Sequence, residues 1–100
     1  LSDNDGRTPR IRIAPGVLSR EVHGEAVLLH LDSGEYFGLD AMATRMWQLL
    51  SELGDPKRVE SAICEEYDVE PQSASRDVKA FVSRLLEQRL VELVGPEPQA

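Results

Sequence analysis

At Asp40 the hydrophobic period of this chain changes. From Val17 to Leu39 apolar residues recur at close to every second position, and from Met42 onward they recur at helical spacing. A period of two suits a pleated strand and a period of 3.6 suits a helix, so a sheet precedes a helical half. Strands and helices segregated in this way point to a small α+β domain.

Turn residues divide the first half into three strands. Val17 to Val22 reads as one strand, and His23-Gly24 as a tight turn after it. Glu25 to Leu31 follows, with Val27, Leu29 and Leu31 on one face and Ala26, Leu28 and His30 on the other. Both faces are apolar, so this middle strand is expected to be covered on both sides. Asp32-Ser33-Gly34 forms a second turn, and Glu35 to Leu39 a third strand, completing an antiparallel meander. Upstream, Ile11 and Ile13 alternate with arginines and suggest a short edge strand, which Pro15 and Gly16 break.

Capping residues punctuate the helical half. Asp40 can accept from the free amides of a first helix, in which Met42, Met46, Trp47, Leu49, Leu50 and Leu53 form the apolar stripe and Gly54 the stop. Asp55-Pro56 starts a second helix, with Val59, Ala62, Ile63 and Tyr67 expected inside. Pro71 opens a third that continues to about Arg89, with Ala74, Val78, Phe81, Val82 and Leu85 facing inward. Val91 to Val94 suits a short terminal strand. Trp47, spaced with Met46 and Leu50, reads as the anchor between sheet and first helix.

A length of 100 residues suits one domain, assigned to residues 11–94. Residues 1–10 are polar with Gly6 and Pro9 and read as a disordered arm; residues 95–100, with two prolines, read as a flexible tail. No run approaches the ~20 apolar residues of a membrane span, and the polar start lacks a secretory signal, so a cytoplasmic location is expected. The net charge of −7 and pI of about 4.7 argue against a nucleic-acid partner and suit one carrying basic residues.

The residues that could support catalysis or metal binding are poorly assembled. Cys64 is the one cysteine, so no internal disulfide can form, and its helical setting reads as packing. His23, beside a turn glycine, is expected to be exposed, and His30 to be a hydrogen-bonded sheet residue; with Cys64 they do not make a metal site. The pairs Glu65-Glu66 and Glu21-Glu25, and Ser19, Ser33 and Ser51, have no nucleophile, base or phosphate loop near them in sequence. No catalytic residue, metal or cofactor is therefore assigned.

Four segments in order, VLSREVHGEAVLLHLDSGEYFGLD, ATRMWQLL, VESAICEEYDV and DVKAFVSRLLEQRLVEL, resemble the PqqD-like peptide-recognition domains of ribosomally made peptide pathways. The resemblance covers Val17 to Val94 and is carried most by LDSGEYFGLD running directly into the helix with Trp47. It implies a winged-helix-like fold with an N-terminal three-stranded sheet. It also implies that a precursor's leader peptide adds as a strand beside Glu35, Tyr36, Phe37, Gly38 and Leu39, in a groove against the third helix. Stand-alone copies of this length resemble the leader-binding proteins of lasso-peptide pathways, whose partners are the precursor leader peptide, a separate leader peptidase and a cyclase. A chaperone for the pyrroloquinoline-quinone precursor peptide is the alternative within the family. A winged-helix DNA-binding regulator is the alternative outside it.

Elementary physics gives that implication a basis. A meander has two edge strands with unpaired amides and carbonyls, which an extended peptide can satisfy while side-chain pockets supply specificity. The third strand carries no proline, and Gly38 permits close backbone approach. Tyr36 and Phe37 are adjacent, so they face opposite sides and at least one meets the core. On the third helix Arg76, Lys79, Ser83 and Leu86 form a stripe beside the inner face. Leu86 and the Lys79 stem would give apolar contact and Arg76 and Lys79 would hold leader acids, with Val82 as core or groove floor.

Overall fold

The computed structural model describes residues 10–94, with the expected change from strand to helix at Asp40. The expected arm and tail lie outside these residues, apart from Arg10. The element order is β1 (Ile11–Ile13), β2 (Val17–Val22), β3 (Glu25–His30), β4 (Glu35–Gly38), α1 (Ala41–Leu53), α2 (Pro56–Tyr67), α3 (Pro71–Glu87) and β5 (Val91–Leu93). The fold is α+β.

The meander is present as the antiparallel order β2-β3-β4, with Leu28 opposite Phe37 and Leu18 opposite Leu29. Glycine supplies the left-handed backbone at two of its turns: Gly24 has φ 81°, and Gly34 has φ 76°. Ala26, Leu28 and His30 point into the core, and Leu28 is wholly buried. The opposite face is not covered as expected. Leu18, Val22, Val27 and Tyr36 share it and are exposed. The helices pack on one side of the sheet only, so apolar character in β3 did not signify burial on both faces.

The caps act as the sequence predicts. The Asp40 carboxylate accepts the Ala43 amide at 2.8 Å, and the Asp55 carboxylate accepts the Lys57 amide at 3.0 Å. Gly54 closes α1 at φ 69°, its amide donating to the Leu50 carbonyl. Met46, Trp47, Leu49 and Leu50 of α1, Val59 and Ile63 of α2, and Ala74, Val78, Phe81 and Leu85 of α3 enclose one core beneath Leu28. Tyr67 is an exception to the expected stripe. It is exposed, because α2 ends at that residue and Asp68 turns the chain away with φ 54°.

The short flanking strands pair with each other. Ile11 lies opposite Leu93 and Ile13 opposite Val91, forming a second, two-stranded sheet. The Ile11 amide also donates to the Gly54 carbonyl at 2.8 Å, and the Arg10 guanidinium to the Leu53 carbonyl at 3.0 Å. This ladder joins the end of α1 to the segment after α3, so Leu90 and Val91 are buried.

Candidate functional site

β4 is an edge strand of the meander among the described residues. The Leu39 amide donates to the Ala26 carbonyl at 2.8 Å, which fixes which pairs in this ladder are hydrogen-bonded. Alternation then turns the backbone groups of Glu35, Phe37 and Leu39 toward β3 and those of Tyr36 and Gly38 outward. Two residues thus offer both an N–H and a C=O along the open edge. A Cβ built on Gly38 meets no atom within 4 Å, so the outer face of the sheet is open at that position.

A cleft of about 300 Å³ runs between this edge and α3. Tyr36, Phe37, Gly38 and Leu39 form one wall; Phe81, Arg84, Leu85 and Gln88 form the other, at helical positions i, i+3, i+4 and i+7. Phe81, Leu85 and Leu90 are buried and make an apolar floor, Phe37 and Leu39 are half-buried, and Tyr36, Arg84 and Gln88 make an exposed rim. Such a cleft can take apolar side chains from an extended chain paired along β4, with polar contacts at its margins.

The predicted strand residues 36–39 therefore meet at one cleft, and Glu35 stands at its end. The predicted helix residues do not join them. Arg76, Lys79 and Ser83 are exposed, Leu86 is half-buried against the core, and Val82 is buried; none of the five lines the cleft. An amphipathic helix has two flanks beside its buried arc, and the stripe 76-79-83-86 follows one while β4 lies along the other. Arg84 and Gln88 were missed for that reason, and Phe81 and Leu85 read as core alone. The polar i, i+4 pair 84 and 88, set beside apolar 81 and 85, was the available signal.

Burial of His30 agrees with the strand pattern, but its expected hydrogen bond is absent. The residue is 9% exposed, and its Nδ1 has no partner among the described residues. His23 is exposed at φ 55° in its turn, as the neighbouring glycine suggests. Among the described residues no group of three His, Cys, Asp or Glu side chains is placed to hold a metal ion. No helix among them is long and apolar enough to cross a membrane.

Comparison with known proteins bears on the same elements. No curated protein matches the sequence. Two solved structures resemble the fold. One is described as "TbiB1 in complex with the TbiA(beta) leader peptide"; it is 42% identical, with a TM-score of 0.77 over 81% of this chain and 94% of that one. The other, "lasso peptide synthetase B1 complexed with the leader peptide", is 31% identical, with a TM-score of 0.76 over 83% of this chain and 98% of that one. The family model for coenzyme PQQ synthesis protein D (PqqD) matches residues 25–91, from the start of β3 into β5 and so across both walls of the cleft. By that match, and by the agreement of fold and sequence with the two leader-peptide complexes, this chain belongs to the PqqD family.

Proposed function

We propose that this chain binds the leader segment of a ribosomally made precursor peptide as an added strand beside β4, without catalysing a reaction itself. The observation that carries the reading is the coincidence of an open backbone edge at Tyr36 and Gly38 with an apolar cleft against α3. Backbone pairing holds any extended segment of suitable length, and the buried floor of Phe81, Leu85 and Leu90 selects apolar side chains. Each anchor that becomes fully buried would contribute about 1.5–3 kcal/mol, which offsets the cost of ordering a flexible peptide.

The bound leader is then delivered to separate maturation enzymes, a leader peptidase and a cyclase. The two similar structures hold leader peptides and so support a lasso-type precursor. The family match by itself fits the quinone-precursor chaperone as well. In either pathway the domain serves as an adaptor.

Titration with a synthetic leader tests the reading. Binding should saturate, and a leader N-methylated at its strand-pairing amides should bind at least about tenfold more weakly, since each lost charge-neutral hydrogen bond costs roughly 0.5–1.5 kcal/mol. Equal affinity for the methylated peptide would remove strand addition from the account.

A further inference from the structure

A second pocket, of about 540 Å³, adjoins the cleft, and Gln88 lines both. Its walls carry Asp32 from the β3–β4 turn, Glu35 from the head of β4, Glu87 from the end of α3, Arg89 from the turn after it, and Glu92 from β5. Glu92 is already paired with Arg12 at 2.9 Å. Asp32, Glu35 and Glu87 make no ion pair with any described residue, so the carboxylates outnumber Arg89. The C-terminal end of α3, the negative end of its macrodipole, opens on the same space.

His30 gives this pocket more than acidic character. The side chain lines it while 9% exposed, and its Nδ1 has no hydrogen-bond partner among the described residues. An unpartnered buried nitrogen carries a desolvation cost and makes this wall polar rather than apolar. The carboxylates are too dispersed for a metal ion, since no three ligating side chains converge among the described residues. A long, flexible side chain with several donors at its tip suits that dispersion better.

We propose that this pocket receives a lysine or arginine side chain of the peptide that pairs with β4, at a position just beyond Glu35. The inference rests on the strand-addition reading, because that reading brings a guest chain past Glu35 and Gln88. It adds a specificity element: a basic residue at one defined distance from the apolar anchors of the cleft.

The test is a fluorescence-anisotropy titration of the full chain with labelled TbiA(beta) leader peptide and a set of its variants, each with lysine at one position. One or two adjacent positions should give about fivefold tighter binding, a size fitting a partly exposed charge pair. Glutamate there should weaken binding, and the lysine-to-parent affinity ratio should fall toward one in E35Q and E87Q. Binding in which no lysine position is favoured, or in which the gain persists in both variants, overturns the pocket and leaves strand addition standing. If no leader variant binds, or if G38P, which removes an outward amide, binds them all as well as the unaltered chain, strand addition falls and this inference falls with it.

Discussion

The Thr44 hydroxyl accepts the Ala26 backbone amide at 2.8 Å. The same oxygen donates to the Leu39 carbonyl at 3.3 Å, while the Leu39 amide reaches the Ala26 carbonyl directly. One side of the last β3–β4 rung is thus closed through a side chain of α1. The exit of β4 is held against the helix, which sets where the open edge lies relative to the cleft. Replacing Thr44 with valine keeps the volume but leaves a buried amide without an acceptor. We expect T44V to lose about 1–3 kcal/mol of unfolding free energy, read as a lower urea midpoint with an unchanged slope, and T44S to lose less.

Gly38 separates folding from binding. Its amide faces outward, so proline there removes no bond of the β3–β4 ladder, and edge strands tolerate proline. G38P should therefore melt close to the unaltered protein yet bind a leader peptide at least about tenfold more weakly, by loss of a backbone donor and by steric blocking of the edge. Paired thermal melts and peptide titrations check both halves of that expectation.

The two flanks of α3 make opposite predictions. Arg84 and Gln88 rim the cleft, whereas Arg76 and Lys79 lie on the other flank. The double variant R84A/Q88A should weaken leader binding several-fold, on the order of 1 kcal/mol for partly exposed polar contacts. R76A/K79A should leave it within about twofold. Calorimetric titration of the two variants side by side decides between the flanks.

Arg45 on α1 donates to both Glu66 oxygens on α2, at 2.7 and 2.6 Å. These hydrogen bonds hold the Glu66 carboxyl below the ordinary carboxylate range, and they raise the Arg45 pKa further, so Arg45 stays charged throughout. Glu66 binds its proton more weakly folded than unfolded. The pair therefore stabilises the fold above the unfolded carboxyl pKa, and that contribution is lost as pH falls through the lower folded value. Both side chains are about one-third exposed, so solvent screens the effect. In urea unfolding, E66Q should be less stable than the unaltered protein at neutral pH, and the gap should close in acid.

Leu28 lies at the centre of the core with no exposed surface. L28A should cost about 2–5 kcal/mol, enough to unfold much of a marginal domain of this size. Circular dichroism during denaturant titration would show the shift.

Local chemistry was readable from sequence wherever a few neighbouring residues decide the outcome. Asp40, Gly54 and Asp55 each bracket a helix through bonds to residues within four positions, and Gly24 and Gly34 sit where positive φ is needed. The pairing of β1 with β5 was not readable. Each strand has three residues, and their partners lie some eighty positions apart, so neither carries a pattern strong enough to name the other. The flank of α3 that faces β4 was not legible for a related reason: Val78 and Phe81 fix the buried arc but not the side on which β4 lies. Burial of both faces of β3 was overread because Val27 and Leu29 are as apolar as Leu28, and only the placement of the helices tells them apart.

Amide hydrogen exchange at Tyr36 and Gly38, followed by NMR in the free protein and in the presence of saturating leader peptide, reaches the matter most directly. Both amides should exchange rapidly when free and slow by at least about tenfold in the complex, because each acquires a carbonyl from the guest strand. A saturated complex in which those two amides exchange at their free rates would mean that the peptide binds elsewhere.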